Sequence, residues 1–182
     1  ATQILRIENP KKRARMVVHM ISLAEELLQL NNYHAFFGVI IGLTQLSIGR
    51  LRETWKKVGK KELKTLKHLQ GLASPLSNFA ALRNLHDSTP PPFVPLPALF
   101  LRDLVMLTEL SHKGFINPQN CSVNVEKIMI VEKLLGRLHA AQRNHFNFVP
   151  IKSIQHVILS GTAVPSEELE AWSARIEPGR DL

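Results

Sequence analysis

Apolar positions recur at three-to-four spacing along most of the chain. In "ENPKKRARMVVHMISLAEELLQLNN" the stripe is Val17, Met20, Ile21, Ala24, Leu27 and Leu28, with Asn9 placed to cap and Pro10 at the first helical position. This predicts a helix that ends near Asn31. Residues 33–46 are apolar nearly all round, as in a buried helix. "SIGRLRETWKKV" predicts one helix capped by Ser47, with Ile48, Leu51 and Trp55 on one side and Gly59 ending it. Further helices are predicted over 61–72 and, after Ser74 and Pro75, over 75–85.

The helical pattern stops at "HDSTPPPFVPLP", whose five prolines remove backbone donors and hold their predecessors extended. It resumes as a helix over 97–111, followed by the irregular "HKGFINPQNCS". A long helix is predicted from Asn124, with Ile128, Val131, Leu134, Leu135 and Leu138 as its apolar stripe. Shorter helices are expected over 151–159 and 166–176. No period-two alternation persists, so the expected fold class is all-α, a multi-helix single domain. The longest apolar run, "AFFGVIIGL", is about half of the roughly 20 residues a membrane-spanning helix needs.

Charge adds a partner class to weigh. The chain has 182 residues and a formal charge of +8, concentrated in "KKRAR" (11–15) and "KKVGKKELKTLK" (56–67). Lys57, Lys60, Lys61, Lys64 and Lys67 share one helical face, which reads first as a solvated surface and second as a peripheral attachment to anionic membrane. Without an arginine-glycine run, an aromatic array or zinc-finger spacing, nucleic acid is not an expected partner. The single cysteine, Cys121, leaves no intrachain disulfide framework, and no leader-like segment opens the sequence, so a cytoplasmic setting is expected. Eight histidines stand at no metal-ligand spacing, "GKKELKT" lacks the upstream glycine of a phosphate loop, and Cys121 has no partner spacing. Neither metal, cofactor nor covalent catalysis is expected, which leaves partner binding.

The segment "FLRDLVMLTEL" is the candidate site. On a helical wheel Arg102, Val105, Met106 and Glu109 share one face, and Leu101, Leu104, Leu107 and Leu110 are expected to face inward. Paired with the helix from Asn124 through residues 112–123, it would form a protruding antiparallel helical hairpin. The alternative is an ordinary helix pair with Glu109 in water.

"NNYHAFFGVIIGLTQLSIGRLRETWKKV" resembles the stretch N-N-F-N-x-x-x-x-I-x-x-G-L-x-x-x-x-I-x-R-L-x-x-T-W of Ras-family guanine nucleotide exchange factors. "PFVPLPALFLRDLVMLTEL", "VNVEKIMIVEKLLGRLHAAQ" and "EELEAWSARIEP" resemble later segments of that family, in family order. The resemblance implies an all-helical catalytic domain whose hairpin opens the nucleotide site of a Ras-, Rap- or Ral-class small GTPase without covalent chemistry. Residues 1–182 would be the C-terminal major part of that domain, lacking its N-terminal part. The protein would be cytoplasmic, recruited to the membranes where the GTPase resides.

By the same resemblance Asp103 matches a position at the start of the hairpin's first helix. Val105 matches an apolar position facing the magnesium site, and Glu109 an acidic one presented to the phosphate-binding loop. Leu96 and Thr44 match positions lining a pocket for the switch 2 segment, and Arg102 and Met106 complete the GTPase-binding face. The sequence departs from the pattern at Thr44, Gly49 and Ala98, and "VNVEKIM" lacks the arginine of K-x-R. Those departures keep open an exchange-inactive scaffold or interaction module of the same fold.

Overall fold

A computed structural model describes residues 1–109, 116 and 122–178. Eleven helices appear among them: α1 (Thr2–Leu5), α2 (Pro10–Gln29), α3 (Tyr33–Thr44), α4 (Leu46–Gly49), α5 (Arg52–Trp55), α6 (Lys60–Leu72), α7 (Ala80–Ser88), α8 (Pro97–Glu109), α9 (Val125–Arg143), α10 (Lys152–Leu159) and α11 (Ser166–Ile176). The described residues form no strand, only isolated bridges between Asn32 and Val94 and between Ile116 and Val123. The fold is all-α, and none of the described helices is long and apolar enough to cross a membrane.

Asn9 caps as the sequence suggests, whereas Ser47, expected to cap, lies buried inside α4. Asn9 Oδ1 accepts from the backbone N–H of Lys11 and Lys12 at 2.9 and 3.2 Å, answering two of the donors a helix start leaves free. At the far end of α2, Asn31 takes a left-handed φ of 57°, a conformation that asparagine tolerates and that stops the helix. Asn32 then caps α3 through Ala35 N–H at 3.0 Å. This tight reversal lays α3 along α2. Val17, Ile21 and Ala24 meet Tyr33, Phe36, Ile40 and Leu43 in the core, which α1, α4, α5, α6 and the first turn of α8 complete.

Several expectations need correction. The single helix expected from Ser47 is two one-turn helices, broken at Leu51, whose ψ of 72° is not helical. Leu51 is fully buried there, and Trp55 Nε1 donates to Ile48 O at 2.8 Å across the break, so burial and a long-range cap outweigh continuity. The helix expected at 75–85 begins five residues later, because Ser77, Asn78 and Phe79 all hold left-handed φ values of 48° to 60°. Within "KKRAR", Arg13 turns inward and is 1% exposed.

Arg13 is held by a polar network that joins distant parts of the chain. Its Nε donates to Thr54 Oγ1 at 2.7 Å, one terminal nitrogen donates to Ile7 O and Glu8 O, and the other pairs with Glu177 at 2.5 Å. Glu177 in turn accepts from the backbone N–H of Glu53 and Thr54 and from the Thr54 hydroxyl, so it caps the first turn of α5. Ser173, buried on α11, donates to Ser47 O at 2.5 Å. Thus α11 seals the break that separates α4 from α5.

Candidate functional site

The body holds α8 by a different face from the one the leucines suggested. Leu96, Leu99 and Phe100 are buried, Asp103 is partly buried, and Leu107 is half-buried. Leu101 is 62% exposed and Leu104 39%, which overturns their expected inward orientation. The inward register is therefore 96, 99, 100, 103 and 107, a helical stripe with a carboxylate inside it. Leu110 lies outside the described residues. Glu109 closes α8, and its side chain also lies outside the described residues.

The opposite face of α8 has no covering element among the described residues. Val105 is 49% exposed and Met106 42%, and Arg102 is exposed beside them. Arg102 also lies 6.0 Å from the centre of the Phe79 ring, and Phe79 meets Phe37 of α3 edge to face at 5.8 Å. That aromatic pair walls a cleft of about 340 Å³ whose lining includes Ile40, Ile41, Thr44 and Gln70. Thr44 Oγ1 donates to Ile40 O at 3.0 Å, an intrahelical bond that satisfies the hydroxyl's proton. Two candidate regions 58 positions apart, Thr44 and Arg102, are so linked through Phe79. Leu96, 4% exposed, sits in the core and is not among the residues lining that cleft.

Asp103 forms a bidentate pair with Arg83 of α7, both bonds 2.7 Å long. Both side chains are about a quarter exposed or less. A second cleft, of about 240 Å³, lies behind this pair between α7, α8 and α9. Its floor includes His86, which is 4% exposed and packs on the rings of Tyr33, Phe93 and Phe100. Burial lowers the His86 pKa below its ordinary value, the Arg137 charge adds to that, and Asp87 opposes it. From α9, Arg137 donates to His86 O and Thr89 O and lies 4.3 Å from the Phe93 ring centre.

The apolar stripe expected along α9 divides. Leu134 turns toward this second cleft, whereas Ile128, Val131 and Leu135 line an open depression on another side, with Ile128 and Leu135 each 45% exposed. Phe79, Arg83 and Arg137 carried no signal in the sequence, because each works through a partner far along the chain. No group of three or more His, Cys, Asp or Glu side chains comes together as a metal site among the described residues.

Comparison with known proteins gives this arrangement a family. The chain is 29% identical over 178 residues to Ras guanine nucleotide exchange factor Y of Dictyostelium discoideum, covering 98% of this chain and 12% of the relative. Against Ras guanine nucleotide exchange factor Q of the same organism the identity is 30% over 185 residues, covering 100% and 14%. With Rap guanine nucleotide exchange factor 6 of Homo sapiens it is 33% over 135 residues, covering 73% of this chain and 8% of the relative. The chain thus spans a small part of the relatives it matches. Residues 1–129, from α1 through α8 into the start of α9, match the family described as the RasGEF domain, so the chain belongs to that family.

Proposed function

We propose that this chain promotes GDP release from a Ras-like or Rap-like small GTPase, using α8 and α9 as an inserted helical hairpin. The observation that carries the reading is the uncovered outer face of α8, where Arg102, Val105 and Met106 stand in water within a segment that the RasGEF match includes. The names of the relatives, Ras and Rap exchange factors, support the partner class.

In this reading Val105 faces the magnesium site and Glu109 the phosphate-binding loop. An apolar side chain offers no oxygen to Mg²⁺, which requires near-octahedral oxygen coordination. A carboxylate brought to about 4 Å from a phosphate oxygen contributes repulsion of about 4 kcal/mol in an effective dielectric of about 20. It also occupies donors that the phosphate would use. Coupling is reciprocal, so a protein that prefers the nucleotide-free GTPase weakens nucleotide binding by the same factor. Arg102 and Met106 add contacts along α8 and Thr44 serves the switch 2 side, while Asp103 and the buried Leu96 support these surfaces from behind. The chain acts in the cytoplasm at membranes bearing the GTPase, and the exposed lysines of α6 favour an anionic surface.

The test is release of a fluorescent GDP analogue from a panel of Ras, Rap and Ral proteins. Wild type accelerates release from at least one, and Glu109→Ala and Glu109→Lys abolish most of the acceleration. Equal rates for all three chains would refute the mechanism. A stable complex in pull-down without faster release would replace it with the exchange-inactive module.

A further inference from the structure

The two clefts differ in what bounds them. The first is walled largely by aromatic and apolar groups, among them Phe79, which Arg102 of α8 approaches. The second is spanned by two arginines, and each joins a different helix of the α8 and α9 pair to α7. Arg83 reaches outward from α7 to the Asp103 carboxylate of α8 with two 2.7 Å bonds. Arg137 reaches inward from α9 to carbonyls at the end of α7, His86 O and Thr89 O.

Each link suits its chemistry. A guanidinium matches a carboxylate as a planar fork, which fixes direction as well as distance. At the other link, the carbonyls at the C-terminal end of α7 carry the negative end of the helix dipole, which stabilises a cation there. The Arg137 guanidinium also covers the face of Phe93 at 4.3 Å. Phe93 is 2% exposed and lies at the end of the proline-rich connection into α8, so the same arginine touches α7 and the entry to α8. A cavity of about 240 Å³ opens between the walls of this cleft. Side chains facing that void lose dispersion contacts there, which leaves the polar links a part in setting the angle of the pair.

We infer that Arg83 and Arg137 are positioning residues, which set the angle at which α8 and α9 leave the body and hence the placement of the outer face of α8. The inference rests on the exchange reading for its functional consequence, and on the geometry alone for the positioning. It also gives Asp103 a role through Arg83 that needs no contact with the GTPase.

The experiment measures placement and release separately. Spin labels are attached at His19→Cys on α2 and Met129→Cys on α9, both exposed, in a Cys121→Ser background. Electron–electron distance distributions are then recorded beside GDP-analogue release. Arg137→Ala broadens the distance distribution and slows release on the order of 10- to 100-fold, the scale of a misplacement of about 1 Å. Arg137→Lys keeps the charge but not the planar fork, and leaves the distribution broad.

Arg83→Asp and Asp103→Arg each broaden the distribution, and the two together restore both the distances and the release rate. Circular dichroism melts confirm that each variant is folded at the temperature used. Unaltered distances in the folded Arg137→Ala and Arg83→Asp chains overturn the inference. So does broadening without loss of release in chains whose wild type is active, or a charge swap that restores neither quantity. If wild type accelerates no member of the panel, the exchange reading falls, and the distances alone still decide the positioning.

Discussion

Removal of the Glu177 carboxylate is the most stringent test of how the body is held together. In Glu177→Ala, Arg13 keeps three acceptors, Thr54 Oγ1, Ile7 O and Glu8 O, but loses its carboxylate partner. A hydrogen bond to a charged group is worth about 1.5 to 3 kcal/mol. The N–H of buried Thr54 also loses its acceptor, at about 1 to 2 kcal/mol, whereas water replaces the one lost by exposed Glu53. The total, about 2.5 to 5 kcal/mol, overlaps the usual cost of breaking a buried ion pair and is a large share of the roughly 5 to 15 kcal/mol that holds a domain folded. With a urea slope of about 2 kcal/mol/M, the midpoint falls by about 1.3 to 2.5 M. Arg13→Met with Glu177→Leu should cost less than the sum of the single changes, because neither partner is then stranded. A loss below about 1 kcal/mol for Glu177→Ala at unchanged slope, or strict additivity in the double variant, would refute the reasoning. The network also has a pH signature. Burial pushes the Glu177 carboxyl up, but donors from Thr54, Arg13 and the Glu53 backbone outweigh it and hold its pKa below the ordinary 4.5. Its stabilisation is therefore present above pH 4.5 and lost as pH falls through the lowered folded value, and Glu177→Gln removes that part of the acid dependence.

Further expectations concern the corrected register of α8 and the histidine beneath it. Leu101→Glu should change the urea-derived stability by no more than about 0.5 kcal/mol, whereas Leu99→Ala should cost about 2 to 5 kcal/mol, the reverse of what the leucine pattern alone would suggest. His86 has a folded pKa below 6.5, so its contribution is full above pH 6.5 and lost as pH falls through the folded value; comparing urea midpoints at pH 7.5 and 5.5 for wild type and His86→Phe should show a smaller drop in the variant. Ser173→Ala removes the donor to Ser47 O and should lower stability by about 1 to 2 kcal/mol, read from the same titration.

The helices were legible wherever one residue type did one job. Asn9 caps with Pro10 at the first helical position and the stripe of α2 is buried, whereas α3, expected to be buried nearly all round, leaves Ile41 46% exposed. Legibility failed where a polar residue replaced an apolar one on a buried face. Arg13 stands four residues before Val17 on the α2 stripe, a spacing that gives away its inward direction once the charge is set aside. Asp103 does the same on α8, where grouping Leu101 and Leu104 with Leu107 picks two exposed positions. The break at Leu51 could not be read locally, because its cap is a carboxylate 124 positions from Glu53. At the site, the outer positions Val105 and Met106 followed from periodicity, while the roles given to them and to Glu109 came from family resemblance. Phe79 and the two arginines needed the fold.

The bond between Arg13 and Glu177 spans 164 positions. During synthesis at about 5 to 20 residues per second, the arginine therefore emerges on the order of ten seconds or more before its carboxylate. Throughout that interval the first turn of α5 also has no carboxylate cap, and the nascent helices can meet and part without the lock that fixes them. Completion of the body is thus assigned to a late-made segment, so a ribosome stalled before residue 177 should hold a loosely closed chain that proteases still recognise.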